Sequence, residues 1–265
     1  MLKLRSVCKI EQIYSDEQGC TRPIVVKLDD NTTAVLKYPK NQQGEIVLFN
    51  EYIASCIAKK IDLTIPNFGL AIINQNTTIS KDIKGTLKCF SGIGFYSERI
   101  PKTVKASPTI LKCVENLHEA SKLLLLDSIV KNTDRHSTNI LITTDTHPIM
   151  YAIDFSHALG DPEWTMQTLS LSDIQSPLIW QENHDFYDMM IRAGAPLSES
   201  DLLSAAHVFS GAITNDFLEE IIQQLPCEWN ITKCPELLQH AKKYILNRVD
   251  NIEHICATIM RERSA

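Results

Sequence analysis

Apolar positions along the chain predict strands first and helices later. In the first forty residues, β-branched and apolar runs predict strands at SVCKIEQIY, RPIVVKL and TAVLKYP. The last two strands are joined by the polar sequence DDNT, which favours a hairpin. The segment GEIVLFNEYIASCIAKKI then carries apolar residues at helical spacing. After this helix, Pro66 and Gly69 interrupt the pattern before another strand in DLTIPNFGLAII.

From residue 108 onward the spacing of apolar residues is mostly helical. The segment PTILKCVENLHEASKLLLLDSIVKN predicts one long helix, and NILI and IMYAID predict two short strands around a turn. Further helices are predicted over 183–192, 198–209, 215–224 and 234–262. The apolar stripe of the last helix is typical of a face that packs on a core.

The change from strands to helices indicates two structural units. Glycines among aromatic residues between 77 and 107 indicate a connector between them. Strand-rich sequence followed by helix-rich sequence favours an α+β, bilobal architecture. We therefore expect a strand-rich N-lobe at 1–100 and a mostly helical C-lobe at 101–265.

Composition excludes several classes of protein. The chain has 265 residues and a formal net charge of −6, with its Lys and Arg residues dispersed, which argues against nucleic acid as a partner. Its first residues lack the apolar run of a signal peptide, and its longest apolar stretches are too short to span a bilayer. The eight Cys residues form no CxxC pair. We expect a cytoplasmic protein without structural disulfides or zinc.

Polar residues that could carry chemistry concentrate in NTDRHSTNILITTDTHPIMYAIDFSHALG, residues 132–160. Asp134 and Asn139 lie where a loop enters a strand, and Asp154 follows the next strand. Turn chemistry alone would explain each of them separately. Together, Asp134 and Asn139 have the spacing of a kinase catalytic loop, and DFS stands where kinases have the metal-binding DFG. This combination predicts ATP-dependent phosphoryl transfer with a divalent cation.

Phosphoryl transfer also needs a cation beside the phosphates that are not transferred. Lys37 lies in the alternating strand TAVLKYP, in a context like the VAIK sequence of kinases, although an exposed strand lysine is an equal alternative. The next helix offers Glu51 or Glu45 as its partner. Glu51 projects from a largely apolar face, and a carboxylate buried there would require a cation. We therefore expect Glu51 to pair with Lys37.

The motif NTDRHSTNIL…YAIDFSHALG resembles the catalytic segments of the phosphatidylinositol 3-/4-kinase-like superfamily, where DRHxxN precedes DFGH. The order of segments resembles most the short, single-domain HipA-like kinases. This resemblance implies a protein-kinase-like fold that uses ATP and Mg²⁺. It also implies that Asp134 is the base and that Asn139 and Asp154 hold the metal.

The same resemblance assigns the remaining site residues. Lys37 would bind the α- and β-phosphates, Glu51 would position Lys37, and His136 either steadies the moving phosphoryl group or bonds its own loop. Backbone N–H groups of Gly19, Cys20 and Thr21 would cover the phosphates. Residues 98–100, from Glu98 to Ile100, would face adenine.

Two departures from the kinase pattern keep other functions open. Ser156 replaces the Gly of DFG, which would restrict the backbone, and only Gly19 lies in the expected nucleotide loop. A nucleotide-binding pseudokinase or interaction module therefore remains an alternative. The resemblance favours a protein Ser/Thr hydroxyl as acceptor, with a lipid of the phosphoinositide type or a small molecule as alternatives. A regulatory protein partner is also possible within this family.

Overall fold

The N-terminal part of the chain forms a mixed β-sheet in this computed structural model. The structure describes residues 3–14, 21–83, 87–170 and 178–263. The sheet strands are β1 (Arg5–Ile13), β2 (Ile24–Leu28), β3 (Thr33–Lys37), β4 (Phe68–Ile73), β5 (Thr78–Ile79) and β6 (Gly92–Glu98). Their spatial order is β2-β3-β6-β4-β1-β5, and β1 also pairs with β2, so that β1, β2, β3, β6 and β4 close into a ring. The predicted β2–β3 hairpin is confirmed, with Ile24 opposite Leu36.

One long helix, α1 (Ile46–Lys60), lies between this sheet and the helical remainder of the chain. The sequence predicts this helix, and the structure confirms it. All residues from Val47 to Ala58 are buried, because neighbouring elements cover α1 on every side. A four-residue helix, α2 (Leu87–Phe90), precedes β6. Since α1 contacts both halves of the molecule, its polar side chains are held in defined places between them.

A second, smaller sheet follows the connector. Strands β7 (Thr103–Lys105), β8 (Ile140–Thr143) and β9 (Met150–Ala152) form it in antiparallel order β7-β8-β9. The two strands predicted from NILI and IMYAID are thus confirmed. Ile140 pairs with Ala152, so the residue before β8 and the residue after β9 are neighbours. This pairing positions the chemistry-bearing residues of the 132–160 segment.

The prediction of a single helix over 108–132 is wrong. The chain forms α3 (Pro108–Leu111), an irregular turn and α4 (Ala120–Ile129). Asn116 lies in the interruption, where its side chain donates to the carbonyl of Met150 (2.9 Å) and accepts from the Met150 N–H (2.8 Å). These two buried hydrogen bonds to β9 outweigh the local helical preference of the segment.

The remaining helices are α5 (Leu178–Arg192), α6 (Glu199–Ala212), α7 (Asn215–Gln223), α8 (Pro235–Asp250) and α9 (Ile252–Arg263). The predicted helices at 198–209 and 215–224 are confirmed, and the one predicted from residue 183 begins at Leu178. The helix predicted over 234–262 is two helices, because Asn251 bonds the carbonyl of Asn247 with its side chain and ends α8. Within the described ranges, no helix is both long enough and apolar enough to span a bilayer.

The loop between α7 and α8 connects the helical half to the sheet. Trp229 is fully buried, and its indole N–H donates to the carbonyl of Ile93 in β6 (2.8 Å). Glu228 accepts from the N–H of Ile93 (3.0 Å), and the N–H of Asn230 donates to Glu45 at the start of α1 (2.7 Å). These bonds fix α1 and β6 against the helical half. The candidate active site depends on this arrangement.

Candidate active site

Lys37 lies at the centre of the site, at the end of β3. Its ammonium contacts the carboxylate of Glu51 on α1 and lies 2.8 Å from Asp154 Oδ1, although Lys37 and Asp154 are 117 residues apart in the chain. Lys37 is 8% exposed and Glu51 is 3% exposed. Glu45, the alternative partner, bonds Asn230 instead. The structure therefore brings together the Lys37–Glu51 pair that the sequence predicts.

The charges of this group depend on one another. Burial lowers the pKa of Lys37, but the carboxylates of Asp154 and Glu51 outweigh burial and raise it overall. Burial raises the pKa of Asp154, but the charge of Lys37 and hydrogen bonds from Lys37 and Ser156 lower it overall. Burial also raises the pKa of Glu51, against the opposing charge of Lys37. With two carboxylates around one ammonium, the group attracts a further cation.

The loop before β8 carries Asp134, His136 and Asn139. The side-chain amide of Asn139 donates to the backbone carbonyl of Asp134 (2.7 Å), and the ring of His136 lies 3.5 Å from Asp134 Oδ1. His136 Nδ1 accepts from the N–H of Thr138 and thereby caps a short 3₁₀ helix. The carboxylate of Asp134 remains 42% exposed. An incoming molecule can therefore reach Asp134, while His136 bonds its own loop.

The oxygen atoms of Asn139 and Asp154 fit a divalent cation. Asn139 uses its amide nitrogen to bond Asp134, so its Oδ1 is the atom available to a metal. Asp154 Oδ1 accepts from Lys37 and Ser156, which makes Oδ2 its available atom. The N–H of Ile153 donates to the carbonyl of Asn139 (3.0 Å) and holds the two segments side by side.

The composition of this donor set distinguishes between metals. Among the described residues, no group of three or more His, Cys, Asp or Glu side chains could hold a metal ion by itself. One carboxylate and one amide oxygen suit Mg²⁺, which takes its other ligands from water and nucleotide phosphates. The residues present therefore fit magnesium with a nucleotide better than a closed protein site.

Arg135 is a site residue that the sequence reasoning missed. It is fully buried and forms a two-pronged ion pair with Asp127 (2.9 and 3.0 Å). Its guanidinium also donates to the carbonyls of Asn139 (3.0 Å) and Ile153 (2.7 Å), and it lies over the ring of Phe155. Arg135 thus joins the segment of Asn139 to the segment of Asp154.

Further buried side chains support Asp127 and the start of the loop. Asp127 accepts from the hydroxyl of Tyr187 (2.6 Å) and from the amide of Asn132 (2.8 Å). Asn183 accepts from the N–H of Arg135 (2.8 Å) and donates to the carbonyl of Asn132 (2.7 Å). No local pattern marks residues on α5 as partners of Asp127.

The backbone at the DFS sequence explains how a serine is accommodated. The left-handed residues of this segment are Asp154 (φ 57°), Leu159 (φ 62°) and Gly160 (φ 92°), whereas Ser156 lies outside that region. The structure therefore accommodates Ser156 without a left-handed backbone at this position. Position 156 does not require the conformational freedom of glycine.

The structure describes only some of the residues that the sequence predicts to contact the nucleotide. Gly19 and Cys20 lie outside the described residues, and Thr21 is buried at the start of the β2 segment. Glu98 ends β6 and donates its N–H to the carbonyl of Asn67 (2.7 Å), so this backbone group is engaged within the sheet. Ile100 lies in the connector that leads to β7.

Comparison with known proteins identifies the family and the fold of the chain. A family model for HipA-like kinases matches residues 10–257. The structure is similar to that of a proinflammatory kinase from Helicobacter pylori, CtkA, with 15% identity, 99% of this chain and 100% of that chain covered, and a TM-score of 0.59. The Golgi casein kinase solved with Mn/ADP bound has 15% identity over 97% of this chain and 74% of its own, with a TM-score of 0.49. No curated protein matches the sequence significantly. The expected α+β, protein-kinase-like fold is confirmed.

Proposed function

Since this chain belongs to the HipA-like kinase family and is a kinase, we propose that it transfers the γ-phosphoryl group of ATP, with Mg²⁺, to a Ser or Thr hydroxyl of a protein. The observation that carries the proposal is the convergence of Lys37 and Glu51 with Asp154, which lies 117 residues after Lys37 in the chain. A buried ammonium held between two carboxylates is costly as a purely structural device. It is well suited to a site that receives phosphates and a cation.

Each residue around Lys37 has a distinct role in this proposal. Lys37 binds the phosphates that are not transferred, and Glu51 holds Lys37 in place. Asn139, through Oδ1, and Asp154, through Oδ2, would hold the divalent cation. The cation, when bound, neutralises charge on the phosphate oxygens.

Asp134 faces the acceptor hydroxyl. As the acceptor oxygen bonds to the γ-phosphorus, the bond from phosphorus to the bridging oxygen of ADP breaks, and the hydroxyl proton moves to Asp134. His136 lies beside Asp134 and accepts from the N–H of Thr138, which stabilises the conformation of this loop. In the proposal its ring also faces the phosphoryl group.

The adenine contact and the cellular setting complete the proposal. The N–H groups of Glu98, at the end of β6, and of Arg99 bond Asn67 and Thr33, whereas Ile100 forms no backbone bond to a described residue, so Ile100 is the better adenine contact. The cysteines in the described part of the chain are free thiols, which supports action in the reducing cytoplasm.

Nucleotide binding tests the role of Lys37. Lys37→Met should weaken ATP binding by at least about tenfold, because a charge-assisted hydrogen bond contributes about 1.5–3 kcal/mol. Lys27→Met is the matched control, since Lys27 lies on the neighbouring strand β2 and bonds Thr33. Titration of a fluorescent ATP analogue with Mg²⁺, beside a melting curve for each variant, measures the effect.

The same preparations test the overall activity. Wild-type protein given γ-labelled ATP and Mg²⁺ should label a protein acceptor, and a chelator should abolish the labelling. ATP binding without transfer to protein, lipid or water would identify a nucleotide-binding module instead. Failure to bind ATP at all would contradict the proposal. Lys37→Arg keeps the buried charge and serves as the test variant if Lys37→Met does not fold.

The charge around the acceptor side supports a protein acceptor with basic residues near its hydroxyl. From residue 136 to residue 191 the sequence contains no Lys or Arg. Thr133 bonds the carbonyl of Gly160 (3.0 Å), which places the exposed Asp161 and Glu163 beside the catalytic loop. The two exposed carboxylates would disfavour anionic phospholipid here, although Lys131 also lies against Gly160. The acidic residues of this stretch are Asp145, Asp154, Asp161, Glu163, Asp173, Glu182, Asp185 and Asp188.

The activity on a peptide acceptor should therefore depend on the charge of the residues that flank its hydroxyl. At low salt, a Ser peptide flanked by Arg should have a kcat/KM about tenfold above the same peptide flanked by Glu, the effect of a few exposed charge contacts. Asp161→Asn with Glu163→Gln should reduce this preference, whereas Asp250→Asn with Glu253→Gln should not. Salt should reduce the preference as well. Faster phosphorylation of phosphatidylinositol in vesicles than of either peptide would contradict the assignment.

A further inference from the structure

Ser156 bonds the metal-facing carboxylate and the long helix at the same time. Its hydroxyl donates to Asp154 Oδ1 (2.6 Å), and its backbone N–H points to the same oxygen (3.3 Å). Its carbonyl accepts from the side-chain amide of Asn50 on α1 (2.7 Å). Ser156 is only 5% exposed, so these bonds form away from bulk water. A glycine at this position would supply the two backbone bonds but not the hydroxyl bond.

The hydrogen bonds of Ser156 complete a closed series of contacts that links β3, α1 and the segment of Asp154. Asn50 precedes Glu51 on α1, Glu51 pairs with Lys37, and Lys37 bonds the same Asp154 oxygen that Ser156 bonds. Asn50 is fully buried and is itself held by the indole N–H of Trp164 (2.9 Å). The carboxylate of Asp154 is therefore tied to two adjacent residues of α1 by two separate routes.

We propose that Ser156 is a positioning residue for the metal ligand Asp154, which makes the departure from DFG a functional feature. The torsion that orients a carboxylate group is broad, so its two oxygens exchange places easily unless they are fixed. The Ser156 hydroxyl and Lys37 both bond Oδ1, which leaves Oδ2 as the oxygen that would bind the cation. This inference rests on the proposed function, because it assumes that Asp154 holds the metal.

Metal dependence is the quantity that should change. Outer partners that orient a metal ligand typically contribute about 10- to 100-fold to metal affinity. Ser156→Ala should raise the Mg²⁺ concentration needed for half-maximal ATP binding by about tenfold or more. ATP binding in the presence of chelator should stay within about twofold of wild type, since Lys37 remains in place. Ser156→Thr should restore most of the metal affinity, because it returns the hydroxyl.

A control distinguishes positioning from simple core stability. Ser128→Ala removes another buried hydroxyl, which bonds the carbonyl of Leu124 within α4. It should lower the melting temperature without changing the Mg²⁺ requirement. If Ser156→Ala behaved in the same way, with an unchanged Mg²⁺ requirement, the inference would be wrong and the proposed kinase activity would stand. If the wild type bound ATP equally tightly with and without Mg²⁺, the metal assignment of the proposed function would be contradicted instead.

Hydrogen exchange gives a second readout that needs neither metal nor activity. In the metal-free, nucleotide-free protein, Ser156→Ala should increase amide exchange in residues 154–160, because the Asp154 carboxylate that accepts from the Ser156 N–H loses one of its two side-chain donors. Exchange in α9 serves as the internal reference. Unchanged exchange in residues 154–160 would show that the hydroxyl does not order this loop and would overturn the inference even if Ser156→Thr folds poorly.

Discussion

Replacing Asp134 by Asn should reduce the rate constant of phosphoryl transfer by about 10²- to 10⁴-fold, the contribution typical of a general base. Asparagine has nearly the same size but cannot take the acceptor proton. The bond that orients Asn139 goes to the backbone carbonyl of Asp134, so it survives the substitution. ATP affinity should therefore change by no more than about twofold, since Asp134 does not hold the nucleotide.

Single-turnover transfer and equilibrium ATP binding separate these two effects. The matched control is Asp62→Asn, in the exposed turn after α1, where the left-handed backbone (φ 56°) accepts asparagine readily. The control should retain both the transfer rate and the ATP affinity. An unchanged transfer rate in Asp134→Asn would remove Asp134 from proton transfer. A large loss of ATP binding would place Asp134 among the nucleotide or metal ligands instead.

Local sequence patterns indicated which residues belong to the candidate site better than they indicated the hydrogen bonds between those residues. The spacing of Asp134 and Asn139 is a short-range property, and a loop that leads into β8 preserves it in the fold. Helical phase separates Glu45 from Glu51, which indicated which of the two could face Lys37. These conclusions need only the period of a helix or strand.

The hydrogen bonds that fix the site depend on contacts between distant segments. Asn50 bonds Ser156 across 106 residues, and Arg135 bonds Asn183 across 48. Neither asparagine differs in sequence from an ordinary polar residue of a helix. The broken helix at Asn116 has the same cause, because its partner Met150 lies 34 residues away. Polar residues with distant partners escape analysis by periodicity, since periodicity describes only which face of an element is apolar.

The ion pair between Arg135 and Asp127 should have the largest effect on stability. Both side chains are 0% exposed, and Arg135→Met would leave a buried carboxylate without its cation. Breaking such a pair costs about 3–5 kcal/mol, a large share of the 5–15 kcal/mol that stabilises a typical folded chain. Tyr187 and Asn132 still donate to Asp127 and limit the loss. We expect the melting temperature to fall by about 10 °C.

The same substitution at an exposed pair provides the control. Arg5 bonds Asp29 and Asp30, whose side chains are 39% and 52% exposed, so Arg5→Met should cost much less stability than Arg135→Met. Denaturant unfolding of both variants measures the difference. Arg135→Met combined with Asp127→Asn should be less destabilised than the sum of the single variants, because no buried charge is left unpaired. Equal losses for Arg135→Met and Arg5→Met would show that the buried Arg135–Asp127 pair contributes no more to stability than the pairs of Arg5.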